Sequence, residues 1–185
     1  VIDETLSDAS EKMDRTIDAA KEDFASIRTG RANPGLYAKV MVDYYGSMTP
    51  LQQLASFQVT DARTILITPY DVTALREIEK ALSDSEIGAN PSNDGRAIRV
   101  VLPELTAERR KEYVKVVRGK GEDAKVALRN HRRKAKDAID KLVKDGEVGE
   151  DDGTRGEKEL DALTKKNVDV IDDMLKRKEA ELLDV

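Results

Sequence analysis

The chain has 185 residues, enough for one large or two small domains. Charged residues make up 37% of it and hydrophobic residues 39%, with two Phe and no Trp, which disfavours one wide aromatic core and suits long helices packed side by side. No Cys is present, which excludes disulfides, thiolate nucleophiles and zinc–thiolate sites; with no apolar run of about 18 residues and no signal peptide at the start, a cytoplasmic protein is expected.

Residues 2–28 carry Leu6, Ala9, Met13, Ile17, Ala20, Phe24 and Ile27 at steps of three and four, the spacing of one helix stripe. Gly30, Asn33, Pro34 and Gly35 are expected to end that helix. The period then changes to two: Leu36, Ala38, Val40, Val42 and Tyr44 alternate with Tyr37, Lys39, Met41, Asp43 and Tyr45, as in a half-buried strand. Residues 54–60 and 63–68 read as a hairpin turning near Asp61 and Ala62. A short helix over 72–83 follows, capped by Asp71 or Thr73. Residues 90–95 form a loop, and 97–102 a last strand.

Pro103 and Thr106 open the longest helix, about 107–145. Its apolar seam runs through Val114, Val117, Gly121, Ala124, Leu128, His131, Ala135, Ala138 and Leu142, a heptad spacing. Gly146 and Gly149 break it. A third helix, about 151–183, carries Leu160, Leu163, Val168, Ile171, Leu175 and Leu182 on one side. Gly153 and Gly156 lie early in it, each unfavourable by about 1 kcal/mol relative to Ala, so that end is expected to fray or start late. Three long amphipathic helices need one another to bury their stripes. The expected class is α+β: a three-helix bundle domain, residues 1–30 and 105–185, with a small β/α/β domain, residues 31–104, inserted after its first helix. The chain crosses that boundary twice, at Thr29, Gly30 and Arg31 and at Pro103, Glu104 and Leu105, and a hinge is expected there.

The net charge of −5 is unevenly spread. Residues 107–145 hold 14 basic and 7 acidic groups, net +7, whereas 1–30, 31–106 and 146–185 are net −4, −2 and −6. With Val114 as heptad position a, positions b and e hold Lys111, Lys115, Arg118, Glu122, Lys125, Arg129, Arg132 and Lys136, all basic but one, and Arg133 and Lys134 flank them. This row is expected to face away from the core and to neutralise several phosphates. The competing reading is a solvated face, but solvated faces usually mix signs. The row has no interleaved aromatics, which favours the backbone and shape of a folded RNA over stacking on single-stranded bases. Arg28 and Arg31 flank Thr29 and Gly30 where the first helix ends; they suit phosphate, and equally a helix C-terminus with Gly as its cap.

Enzymatic chemistry finds little support. His131, the only His, falls on the apolar seam and reads as a packing residue. Glu150, Asp151 and Asp152 are explained by the dipole of the third helix rather than by a metal. The glycines form no phosphate-binding fingerprint. No cofactor, metal or catalytic residue is expected.

Several motifs resemble those of the bacterial ribosome recycling factor family. They are Ile27-Arg28-Thr29-Gly30-Arg31-Ala32 with Pro34; Tyr45-Gly46 with Thr49-Pro50-Leu51 and Gln53-Leu54-Ala55; Ile98-Arg99-Val100 through Leu102-Pro103, Leu105-Thr106 and Glu108-Arg109-Arg110; and Arg118-Gly119 with Arg129-Asn130-His131-Arg132-Arg133. They span nearly the whole chain in family order. The resemblance implies an L-shaped, hinged molecule that mimics transfer RNA. It implies a factor that binds the post-termination 70S ribosome and its 50S subunit through 23S ribosomal RNA. With elongation factor G and GTP, such a factor promotes dissociation into subunits without an active site of its own. It implies RNA contacts centred on Arg132 and its neighbours. The expected RNA-binding set is Arg28, Arg31, Arg110, Arg118, Lys125, Arg129, Arg132, Arg133 and Lys136, in a monomer that meets no membrane.

Overall fold

In the computed structural model, which describes residues 1–85, 87 and 90–184, the N-terminal apolar stripe winds into α1, Ile2–Ala25. Ala9, Met13, Ile17, Ala20 and Phe24 are its buried residues, one face at helical spacing. The long basic segment forms α4, Ala107–Lys144, and the last segment forms α5, Glu150–Leu183. Thr106 starts α4, its Oγ1 accepting the Arg109 N–H at 3.1 Å. Gly146 ends it at φ +73°: the Gly146 N–H donates to the Val143 carbonyl and the Glu147 N–H to the Leu142 carbonyl, the paired bonds of a Schellman cap.

The chain divides into two units, each described by itself. The helical unit is Val1–Phe24 with Val116–Lys178. Its core joins Ala9, Met13, Ile17 and Ala20 of α1, Leu128, Ala135 and Ile139 of α4, and Leu160 and Ile171 of α5. Full burial of side chains such as Met13, Leu128 or Leu160 contributes about 1.5–3 kcal/mol each. Buried Asn167 donates to the Leu163 carbonyl at 3.0 Å and to Met13 Sδ at 3.7 Å, which satisfies its amide and links α5 to α1.

Two expectations about this unit are corrected. Gly153 and Gly156 do not fray: both are buried inside α5, which begins at Glu150. A Cβ at Gly153 would lie 2.5 Å from Val143 Cγ2, and one at Gly156 would lie 2.9 Å from Ile2 Cγ2. Their missing side chains let neighbouring helices approach, and that packing outweighs their low helix propensity. The seam of α4 also drifts. Ala138 is exposed, whereas Ile139 is 1% exposed. A helix of 3.6 residues per turn lags a strict heptad by about 20° per repeat, so three repeats carry the buried face on by one position.

The sheet unit is Ala25–Lys115 with Glu179–Val185. The strand expected over 36–45 is only partly formed. Pro34–Tyr37 is a 3-10 turn, because Asn33 Oδ1 accepts the Gly35 N–H at 2.8 Å and Pro34 presets its φ. Strand β1, Met41–Tyr44, then pairs with β2, Ser47–Pro50, across a turn with Tyr45 at φ +50° and Gly46 at φ +82°, a hairpin the alternation did not disclose. After the one-turn α2, Leu51–Leu54, come β3, Ala55–Asp61, and β4, Thr64–Pro69, the expected hairpin. Asp71 Oδ1 accepts the Thr73 N–H and caps a 3-10 turn that leads into α3, Leu75–Asp84. Strands β5, Ser92–Asn93, and β6, Ile98–Val101, complete an antiparallel sheet of order β3-β4-β6-β5. Ile65 sits opposite Val100 and Ile67 opposite Ile98, and all four are buried in one core with Tyr37, Val42, Leu51, Ile78 and Leu82.

Candidate nucleic-acid interface

Six of the expected RNA-binding residues lie on α4 within the helical unit: Arg118, Lys125, Arg129, Arg132, Arg133 and Lys136. Arg118, Arg129 and Arg133 are exposed. Arg129 makes no hydrogen bond or ion pair with a described residue, and Arg133 Nη2 donates only along its own helix, to Asn130 Oδ1 at 2.7 Å. Arg129 and Arg133 are thus solvated cations with free donors, the state in which an arginine meets phosphate at least cost.

The other three do not simply face away from the core. The drift that buries Ile139 also turns two of the e positions, Lys125 and Arg132, toward α5. The Lys125 side chain is only 14% exposed; its Nζ lies 2.5 Å from Asp172 Oδ1 of α5 and 3.3 Å from Glu122 Oε1. The hydrogen bond to Asp172 raises its pKa and keeps it charged. Arg132 is 33% exposed, and its Nε donates to Asp161 Oδ1 of α5 at 2.6 Å. Lys136 pairs with Asp140 one turn on, at 3.0 Å. The row is thus two sets: open cations at Arg129 and Arg133, and tethered ones at Lys125 and Arg132. Asp161 and Asp172 were not singled out in the sequence. They lie 11 residues apart, close to three full turns, so they share a face of α5; that spacing was the available signal.

His131 is half-buried beside these residues, its Nε2 3.1 Å from Thr16 Oγ1 of α1. Burial, then Lys12 and Lys134, hold its pKa below the ordinary value. It packs and bonds as a neutral ring. Glu150, Asp151 and Asp152 occupy the first turn of α5, where the dipole favours them.

The remaining three expected RNA-binding residues belong to the sheet unit and differ among themselves. Arg31 is exposed. Arg110 Nη1 donates to the carbonyls of Leu182 and Asp184, both at 2.8 Å, so it holds the free end of α5. Arg28 has its Nε and Nη2 buried without a hydrogen-bond partner among the described residues, and burial lowers its pKa. The reading of Arg28 and Gly30 as a helix cap is corrected: α1 stops at Ala25, and Gly30 is not among the glycines with positive φ. The turn is made instead by Thr29, whose Oγ1 accepts the Arg31 N–H at 3.4 Å. Thr29, Gly30 and Arg31, with Glu104 and Leu105, line a cavity of about 770 Å³ that Arg110 also borders. Pro103, the sixth expected hinge residue, is exposed beside them in sequence. Elsewhere on this unit Tyr45, Met48, Tyr70 and Val72 are exposed, and the Tyr45 hydroxyl is hydrogen-bonded with Thr73 Oγ1 at 2.9 Å.

Among the described residues no helix is long and apolar enough to cross a membrane. The family model for ribosome recycling factor matches residues 20–183. The chain is 76% identical to the ribosome-recycling factor of Paenarthrobacter aurescens (strain TC1) and 73% identical to that of Micrococcus luteus, over the whole of each chain. Among solved structures it is similar to a solution structure of the ribosome recycling factor, with 36% identity and a TM-score of 0.79 over 100% of this chain and 98% of that one. It is also similar, at 38% identity and a TM-score of 0.71 over 100% of both chains, to one describing the T. thermophilus ribosome recycling factor with E. coli elongation factor G bound to the E. coli post-termination complex. With a family match across most of its length and relatives identical at about three positions in four, this chain belongs to the ribosome recycling factor family.

Proposed function

We propose that the protein binds the post-termination ribosome on its 50S subunit through 23S ribosomal RNA and, with elongation factor G and GTP, promotes dissociation into subunits. It acts as a monomer in the cytoplasm and catalyses no reaction itself. The observation that carries the RNA reading is the open arginine pair on α4, Arg129 and Arg133, beside the half-exposed Arg132, in an otherwise acidic chain. A helix face of fixed cations without aromatic residues suits the phosphate backbone of folded RNA. Arg118, Lys125 and Lys136 extend the contact, and Arg28, Arg31 and Arg110 add cations at the sheet unit. In this reading the bundle domain is 1–30 with 105–185, the small domain is 31–104, and the chain flexes at Thr29, Gly30 and Arg31 and at Pro103, Glu104 and Leu105.

The test is light scattering of post-termination 70S ribosomes after addition of this protein, elongation factor G and GTP. Scattering should fall as subunits separate, and only with all three present. Unchanged scattering with a folded protein and active elongation factor would contradict the reading.

A further inference from the structure

Lys125 and Arg132, seven residues apart on α4, are each held by a carboxylate of α5. Lys125 Nζ lies 2.5 Å from Asp172 Oδ1, and Arg132 Nε lies 2.6 Å from Asp161 Oδ1. Both pairs lie within the helical unit. The carboxylates are about half exposed, at 51% for Asp161 and 49% for Asp172, so neither is needed to fill the core. Burial alone therefore gives no reason for acidic residues at these two positions. They cancel charge on a face that also carries Arg129 and Arg133, two arginines with no acidic partner among the described residues. The Arg132 bond uses one edge of the guanidinium. Its Nη1 and Nη2 carry no hydrogen bond to a described residue and remain as a fork for a second acceptor.

We propose that Asp161 and Asp172 are specificity-setting residues that restrain Arg132 and Lys125 from binding phosphate indiscriminately, so that only an RNA surface shaped to this face recruits both cations. The inference rests on the RNA reading of α4. Any polyanion can attract Arg129 and Arg133. Recruiting Arg132 requires phosphate oxygens at its free fork while Asp161 keeps the Nε edge. Recruiting Lys125 requires an acceptor that shares or displaces Asp172. A duplex of arbitrary sequence and pose meets these conditions poorly, whereas a preformed RNA surface meets them in one pose. Like charges placed against the wrong partner are a general way to build discrimination.

The Asp161→Asn/Asp172→Asn double variant separates charge from positioning. Asn keeps the Oδ1 acceptor for Arg132 Nε and removes the negative charge. Binding would be measured to a short RNA duplex of arbitrary sequence and to purified 50S subunits, between 50 and 200 mM salt, with circular dichroism confirming the helical fold. Each phosphate neutralised adds about 0.9 to the log–log salt slope, so Arg132 and Lys125 steepen the duplex plot by about 1.8 once both engage phosphate, Lys125 leaving its remaining partner, the exposed Glu122. The gain of the variant over the parent chain on duplex RNA should then grow about tenfold from 200 to 50 mM salt. Affinity for 50S should change by less than about threefold, so discrimination falls. A double variant with the parent's duplex affinity and slope would overturn the proposal, and so would one that loses affinity for both ligands, since the carboxylates would then serve only to position. If the parent chain itself binds 50S with a flat salt plot, the RNA reading of α4 fails and takes this inference with it.

Discussion

The single histidine gives a direct view of one residue's electrostatics. His131 accepts or shares a hydrogen bond with Thr16 while burial and the nearby Lys12 and Lys134 disfavour its charged form. A base whose folded pKa is depressed favours the fold fully above its unfolded value of 6.5. Between that value and the lower folded one the unfolded chain binds more protons, so stability declines as pH falls through this window. Thermal melts at pH 7.5 and 5.5 should show a loss in the parent chain that is smaller in His131→Gln; equal losses would mean that the ring is not restrained. Tyr37 offers a second residue-scale test. Its ring is fully buried against Phe57, its hydroxyl has no hydrogen-bond partner among the described residues, and burial raises its pKa to about 12. Tyr37→Phe removes an unsatisfied buried group and should raise unfolding free energy by about 1 kcal/mol in a denaturant titration. A loss of that size would show that the hydroxyl is engaged.

At the scale of elements, the long helices were legible because α1, α4 and α5 each bury a stripe, and a stripe leaves a period in the sequence. The reading erred where contact between helices decides. Gly153 looks like a helix breaker in isolation and is a contact point in the fold, since the Val143 methyl occupies the space a Cβ would take. Gly119 of α4 is the contrast: exposed, with nothing within 4 Å of a Cβ. Gly119→Ala should stabilise by about 1 kcal/mol through helix propensity. Gly153→Ala should destabilise by about 1–3 kcal/mol, because overpacking outweighs the same gain. Urea unfolding of the two variants decides between propensity and packing; stabilisation by both would remove the packing account. The hairpin of β1 and β2 was missed for a related reason. Leu36 and Tyr37 alternate like a strand, but Asn33 and Pro34 fix a turn locally, and the Tyr45-Gly46 reversal is set by backbone φ rather than by hydrophobic pattern. Asp161 and Asp172 escaped notice because their meaning depends on which face of α5 meets α4.

For the whole molecule, the segment charges carried more than the total. The net charge of −5 hides a segment, residues 107–145, of net +7, and α4 within it lays its open arginines, Arg129 and Arg133, on one exposed face. The sequence alone separated that helix from its acidic neighbours; it did not reveal that Lys125 and Arg132 are tethered, because pairing across helices has no signature in one helix's heptads. The central claim is that this face binds ribosomal RNA through phosphate contacts. The most direct measurement is 50S affinity as a function of salt for the parent chain and the Arg129→Glu/Arg132→Glu double variant, with helical content checked in parallel. The account predicts a steep negative log–log slope for the parent chain and, for a folded double variant, a slope shallower by about 1.8 with affinity reduced at least about a hundredfold at low salt. A flat plot for the parent chain, or a folded double variant that binds as the parent does, would contradict it.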